Sequence, residues 1–266
     1  AKNEIPPHVL VMTATPIPRT LAMSIYGDLA LSVIDELPPG RKPVKTSHRF
    51  ESKRVAVFAF IKEQIQEGRQ VYVVYPLIQE SQVVDYKDLM DGYESISREF
   101  PLPKYKISIL HGKMKYDEKK IEMKRFIKGE TQIMVATTVI EVGVNIPNAS
   151  VMIIESAEKF GLSQLHQLRG RVGRGNFQSY CILVASEKKS NEAKIRLETM
   201  KKSNDGFEIA DVDLKLRGPG NIMGTEQSGI LNLKIADLIN DNDLLVKARK
   251  IALNILNDDP ELKDLN

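Results

Sequence analysis

The densest chemical signal in the sequence is Gln167-Leu168-Arg169-Gly170-Arg171-Val172-Gly173-Arg174-Gly175, three arginines and three glycines in nine residues directly ahead of a strand-like run. From Lys159 to Tyr180 no acidic residue intervenes. A guanidinium keeps its charge and offers a planar fork of donors, so Arg171 and Arg174, at i and i+3 and freed by flanking glycines, suit the oxygens of a polyphosphate. A solvated basic turn is the ordinary alternative. Interleaving arginine with glycine costs stability, however, and that weighs toward a phosphate role.

Two further stretches lie where strands end. Thr137 and Thr138 open the run Thr137 to Pro147 after the apolar Ile133 to Ala136, and hydroxyls at the carboxyl end of a parallel strand sit where open α/β sheets bind ligands. The same threonines would serve equally as a helix cap. In Met12-Thr13-Ala14-Thr15-Pro16-Ile17-Pro18-Arg19-Thr20, Thr15 followed by Pro16 reads as a cap and first helical position, which leaves Thr13, Thr15 and Arg19 available for a second role.

The elements that must position these groups follow from periodicity. Short apolar runs recur at Val9 to Met12, Val71 to Tyr75, Ile107 to Leu110, Ile133 to Ala136, Val151 to Ile154 and Tyr180 to Val184, as in strands buried on both faces. Between them, Arg54 to Glu67 carries Val57, Phe58, Ile61 and Ile65 on one helical stripe and stops at Gly68; Tyr116 to Lys128 stops at Gly129. Strands alternating with helices predict an α/β layer architecture around a mostly parallel sheet.

Beyond Val184 the strand-like runs cease, and helical patterns at Asn191 to Lys202 and Leu233 to Leu256 flank a polar, glycine-rich stretch. The second of these is most simply a core-packing helix pair, and the alternative is docking on a further domain. Leu37-Pro38-Pro39-Gly40-Arg41-Lys42-Pro43 reads as an extended connector. The expected division is therefore residues 1–40 as the end of a preceding domain plus linker, 41–186 as the main α/β lobe, and 187–266 as a helical hairpin, loop and C-terminal helices.

Composition narrows the function classes. The chain has 266 residues, with 42% hydrophobic and 27% charged, which excludes wholesale disorder and disulfide scaffolds. No apolar run approaches the roughly 20 residues that span a bilayer. Cys181 is the only cysteine and lies in the run Tyr180 to Val184, so it reads as a small buried hydrophobe, and a cytoplasmic setting is expected. His8, His48, His111 and His166 have no neighbour at ligand spacing, which argues against a metal in this chain. Lysine and arginine number 38 against 35 acids, so any case for nucleic acid must be local. Lys113 to Lys128, with seven basic and three acidic residues, reads first as a solvated helix face and second as a DNA approach.

Together these motifs resemble the second motor lobe of superfamily-two helicases, a RecA-like lobe of P-loop-NTPase type. Thr13-Ala14-Thr15 resembles the motif that links ATP hydrolysis to strand movement, Thr137 to Asn145 the DNA- and ribose-contacting motif, and Gln167 to Arg174 the arginine-finger motif Q-x-x-G-R-x-G-R. The RecG branch is the nearest likeness. It extends through Thr13 to Met23, Val33 to Pro43, Asp205 to Ala210, Leu216-Arg217-Gly218-Pro219-Gly220 and Gly224, Gln227, Ser228 and Gly229, the last part shared with transcription-repair coupling translocases. The resemblance implies that Arg171 and Arg174, with Gln167, act catalytically at the γ-phosphate. It implies that Gly143 and Asn145 lie near the nucleotide, although many helicases carry Asp where Asn145 stands. Thr137, Thr138, His111, Gly112 and Lys113 would face the DNA backbone, and Thr13, Thr15, Arg19, Arg217 and Gln227 would couple hydrolysis to movement.

No G-x-x-x-x-G-K-[ST] occurs in the sequence, and Asp117-Glu118 falls in a charged helical stretch instead of at a strand end. The resemblance implies that ATP and Mg²⁺ are bound mainly by a first motor lobe, preceded by a wedge domain, and that this chain begins at the end of that lobe. The implied activity is remodelling of branched double-stranded DNA, such as stalled forks and Holliday junctions, with the chain alone inactive as an ATPase. The alternatives are a transcription-repair coupling translocase and a non-catalytic DNA- or protein-binding adaptor. A Rossmann dinucleotide enzyme is excluded because no G-x-G-x-x-G follows a strand.

Overall fold

The computed structural model describes residues 40–76, 82–137, 146–217 and 242–263, with isolated positions ahead of residue 40. The chain divides into two units, Asp35–Ile209 and a second formed by Ala1–Ile34 with Ala210–Asn266.

The first unit is built on a six-stranded sheet of β1 (Lys45–Phe50), β2 (Gln70–Val74), β3 (Ile107–Leu110), β4 (Ile133–Ala136), β5 (Ala149–Ile154) and β6 (Tyr180–Ala185). All neighbours pair in parallel, in the order β1-β6-β5-β2-β4-β3. The helices are α1 (Arg54–Gln66), α2 (Gln82–Glu99), α3 (Tyr116–Ile127), α4 (Leu162–Arg169) and α5 (Asn191–Lys202). Helix α6 (Gly206–Arg217) follows α5, and α7 (Asn242–Asp258) lies in the second unit. This is the expected RecA-like α/β lobe.

Parallel strands need helical crossovers, so both faces of the sheet are covered and β2, β4 and β5 are buried at every position. On one face Val71, Val73, Ile133, Val135, Val151, Ile153, Ile182 and Val184 pack against Val57, Phe58 and Ile61 of α1 and Leu89 and Ile96 of α2. Tyr72 points to the other face, where its ring meets Phe126 of α3 with centroids 5.0 Å apart. Helix α5 packs against β1 within the same unit, which extends to Ile209.

Five of the predicted strands appear within two residues of the expected bounds; the sixth, Val9 to Met12, lies outside the described residues apart from Leu10 and Met12. Strand β1 was not expected. Its sequence Lys-Thr-Ser-His-Arg-Phe has no apolar run because it is an edge strand with no buried position. In the second unit, α7 exposes Leu244, Ile251, Leu253, Ile255 and Leu256, so within this chain it is not the core-packing element that its periodicity implied.

Candidate nucleotide and DNA interface

Helix α4 runs from the carboxyl to the amino edge of the sheet and delivers the arginine-glycine loop there. The helix ends with the Gly170 amide on the His166 carbonyl at 3.0 Å and the Arg171 amide on the Leu168 carbonyl at 3.0 Å. Two glycines then allow the loop to lie flat against the sheet edge. Gly173 has φ +77, and a Cβ there would meet Val44 Cγ2 at 2.8 Å; a Cβ on Gly175 would sit 2.6 Å from the Pro147 carbonyl oxygen. Arg174 Nε donates back to the Gly170 carbonyl at 3.2 Å.

The surrounding contacts come from segments that precede strands. Arg41 Nε donates to the Gly173 carbonyl at 2.7 Å, and Gln178 Nε2 to the Pro43 carbonyl at 2.9 Å. The Arg69 guanidinium lies 3.2 Å from the centroid of the Phe177 ring, and Arg69 Nη1 donates to Asn148 Oδ1 at 3.2 Å. Arg171 and Arg174 are half-buried, and the charges of both reach Tyr72 of β2. Burial pushes the Tyr72 phenol up to about 12, and the charges of Arg174 and Arg171 both pull the other way. Gln167 is half-buried on α4.

The third arginine of the motif is different in kind. Arg169, to which the sequence assigned no phosphate role, is buried and donates to the carbonyls of Met200 and Ser203, at 2.9 and 2.7 Å, and to His166 Nδ1 at 3.0 Å. These acceptors make it a structural brace between α4 and the end of α5. Burial, reinforced by Arg169, pulls His166 down to about 4. The imidazole is therefore neutral at pH 7, with Nδ1 as the acceptor and the proton on Nε2.

The predicted backbone-contacting residues occupy the opposite edge. Leu110 and Ala136 are register partners on β3 and β4, so His111 and Thr137 leave the sheet side by side, and the Thr137 amide donates to the Leu110 carbonyl at 3.2 Å. The Thr137 side chain is buried, and its Oγ1 has no hydrogen-bond partner among the described residues. Burial, then Lys119 and Lys113, hold His111 below the usual imidazole range. Lys119 Nζ donates to the Gly112 carbonyl at 3.1 Å, and Lys113 is exposed. With β3 and β4 four residues long, the two edges are about 13 Å apart at a rise of roughly 3.3 Å per residue.

One cluster on the carboxyl edge was not read from the sequence. Glu155 follows β5, is buried, and forms an ion pair with Arg54 of α1, Nη2 to Oε2, at 2.7 Å. Burial raises the Glu155 carboxyl above its ordinary range against the pull of Arg54. Tyr75 stands beside the pair, its phenol raised chiefly by burial. Ser156, next in the chain, adopts a left-handed conformation with φ 48. Beyond the apolar run that precedes it, what marks Glu155 is the partner Arg54, 101 residues away and not visible as such in linear sequence.

Thr13, Thr15, Arg19, Thr138, Gly143, Asn145 and Gln227 lie outside the described residues, as does the side chain of Arg217 at the end of α6. Among the described residues, no group of three or more His, Cys, Asp and Glu could hold a metal ion. Glu118 is occupied in closing the start of α3, accepting from the Lys115 amide at 2.9 Å. The described residues therefore do not fit Mg²⁺. Cys181 is buried, as expected, and burial drives its thiol up to about 12. No helix among the described residues is long and apolar enough to cross a membrane.

Comparison with known proteins agrees with this fold. Residues 53–176 match the helicase conserved C-terminal domain, and residues 203–265 match domain 3, C-terminal, of ATP-dependent DNA helicase RecG. The chain belongs to the RecG family. It is 50% identical to ATP-dependent DNA helicase RecG of Synechocystis sp. over 97% of its own length and 31% of the relative's. Against the Aquifex aeolicus RecG it is 51% identical over 97% of this chain and 33% of the relative. A solved structure of RecG bound to a three-way DNA junction superposes with TM-score 0.68 at 44% identity, covering 87% of this chain and 30% of that one. The chain thus spans about a third of the length of these RecG relatives.

Proposed function

We propose that this chain is the C-terminal motor portion of an ATP-dependent DNA helicase that remodels branched double-stranded DNA, coupling ATP hydrolysis to translocation in the cytoplasm. The observation that carries the reading is the split of cationic and backbone-binding groups between the two sheet edges. Arg171 and Arg174 belong to the loop seated on the amino edge, while Thr137, His111 and Lys113 follow strands on the carboxyl edge. A motor requires this separation, since nucleotide and DNA must be held at once and moved relative to one another. The RecG relatives are named as ATP-dependent DNA helicases, and the related solved structure holds a three-way DNA junction.

In this reading Arg171 and Arg174, supported by Gln167, stabilise charge on the γ-phosphate of ATP, and Gly143 and Asn145 lie along the nucleotide. Such arginines contribute roughly 10³ to 10⁵ in rate in well-characterised NTPases. Thr137, Thr138, His111, Gly112 and Lys113 contact the DNA backbone, which suits movement along any sequence. Thr13, Thr15, Arg19, Arg217 and Gln227 couple the two events. The phosphate loop and the Mg²⁺-binding carboxylates belong to a first motor lobe preceded by a wedge domain. Residues 1–40, 41–186 and 187–266 then serve as the end of the first lobe with its linker, the second lobe, and the helical hairpin, translocation loop and C-terminal helices.

The test is Arg174→Ala in the intact protein. ATP turnover should be abolished with binding to a three-way junction retained, and the 266-residue chain alone should hydrolyse no ATP. Turnover that survives the substitution supports a non-catalytic adaptor instead. Binding to RNA polymerase in place of branched DNA identifies the coupling-translocase alternative.

A further inference from the structure

The segment leading into β1 lies directly against the arginine loop. Arg41 Nε donates to the Gly173 carbonyl at 2.7 Å, across 132 residues of sequence. The bond is to the one residue of the loop that has left-handed backbone, φ +77, immediately before Arg174. Three more contacts fix the same two segments together. The Val44 side chain fills the space where a Gly173 Cβ would stand, Gln178 Nε2 reaches the Pro43 carbonyl at 2.9 Å, and the Lys45 amide reaches the Ser179 carbonyl at 2.9 Å.

A left-handed glycine has little intrinsic reason to hold one conformation, because glycine visits both signs of φ at comparable cost. Rotation at Gly173 swings Arg174 relative to Arg171. The charge-assisted bond from Arg41 removes that freedom, since its acceptor is the Gly173 carbonyl itself, whose direction is set by the Gly173 ψ angle. Arg41 also belongs to the proline-rich run Leu37 to Pro43, whose restricted backbone transmits displacement poorly absorbed by bending.

We propose that Arg41 is a positioning residue for the Arg171 and Arg174 pair, clamping the connector onto the loop so that connector movement changes the alignment of the two guanidiniums. The proposal rests on the reading of Arg171 and Arg174 given above and adds a residue that acts through the loop backbone. It predicts a defect in the chemical step alone. Misplacement of a catalytic group by about 1 Å costs on the order of a hundredfold in rate. Loss of the clamp should therefore lower kcat about ten- to a hundredfold while leaving KM within about threefold.

Two measurements test this. In the 266-residue chain, Arg41→Ala should raise amide hydrogen exchange across residues 170–175 by about tenfold or more, with β6 amides unchanged. In the intact protein the same substitution should lower kcat for DNA-stimulated ATP hydrolysis and leave junction binding and the unfolding midpoint unmoved, and Arg41→Lys, which keeps a cationic donor, should restore a large part of kcat. Should Arg41→Ala fold poorly, Arg41→Gln carries the same exchange and kcat measurements. Unchanged exchange at 170–175 overturns the proposal, as does a parallel fall in kcat, junction binding and unfolding midpoint. Turnover that needs Arg174 but ignores Arg41 removes this proposal alone. Turnover indifferent to Arg174 removes the catalytic reading, and the positioning role with it.

Discussion

Arg169 Nη1 donates to the Ser203 carbonyl at 2.7 Å, joining the end of α4 to the residue that follows α5. A second bond to the Met200 carbonyl at 2.9 Å makes the guanidinium the acceptor-side cap of α5, where the last carbonyls of a helix lack partners. Arg169→Leu should strand two buried carbonyls and cost about 2–4 kcal/mol, read as a lower urea midpoint at unchanged m-value. Arg169→Lys, a point charge in place of a fork, should recover less than half of that loss.

His166 supplies a pH signature of the same brace. Its folded pKa is about 4, against 6.5 for an ordinary imidazole, so between those values the unfolded chain binds more protons. The contribution to stability is complete above pH 6.5 and is lost as pH falls from 6.5 toward 4. Thermal unfolding of wild type and His166→Asn, compared from pH 7.5 to 5, should show a steeper decline for wild type. Parallel curves would mean that the imidazole titrates normally.

The sheet was legible in the sequence wherever strands are buried on both faces. Val71 to Tyr75, Ile133 to Ala136 and Tyr180 to Val184 announce themselves because no position in them can be polar without cost. Strand β1 was invisible for the converse reason: Lys45, Arg49 and Phe50 are exposed on an edge, so its alternation carries no hydrophobic signal. The site was legible as a motif but not as a division of labour. Gln167 to Gly175 reads as a single basic cluster, yet Arg169 is turned inward onto carbonyls, while Arg41, far away in sequence, holds the loop. Both facts depend on where α5 and the connector pack, which linear spacing does not encode.

Removing the cation at the carboxyl edge should expose the cost of the buried Glu155 carboxyl. Arg54 Nη2 holds Glu155 Oε2 at 2.7 Å, with the Arg54 side chain partly open to solvent. Arg54→Met should destabilise the chain by about 2–3 kcal/mol, the penalty of leaving a hydrogen-bonded charged group without its partner. Adding Glu155→Gln should recover part of the loss, because a neutral amide is easier to desolvate. Because burial raises the Glu155 pKa, its contribution is present below the ordinary glutamate range and is lost as pH rises through the folded value. The Arg54→Met penalty should accordingly be larger at pH 7 than at pH 5, and equal penalties at both would show that Glu155 does not change charge between them.

Gly175 tests how tightly the arginine loop is seated. An added Cβ would stand 2.6 Å from the Pro147 carbonyl oxygen and 3.4 Å from its carbon, backbone atoms that cannot rotate away. Pro147 leads into β5, which is buried throughout, so the strain falls on the loop and not on the strand. Gly175→Ala should therefore displace Arg174 while costing about 1–3 kcal/mol in stability, a magnitude typical of overpacking. By contrast, alanine at the exposed Asn176 meets no such neighbour and should change stability by less than about 0.5 kcal/mol. In the intact protein, Gly175→Ala should lose ATP turnover out of proportion to its stability loss, with Asn176→Ala near wild type. Equal turnover in the two variants would show that the close approach to Pro147 does not set the position of Arg174.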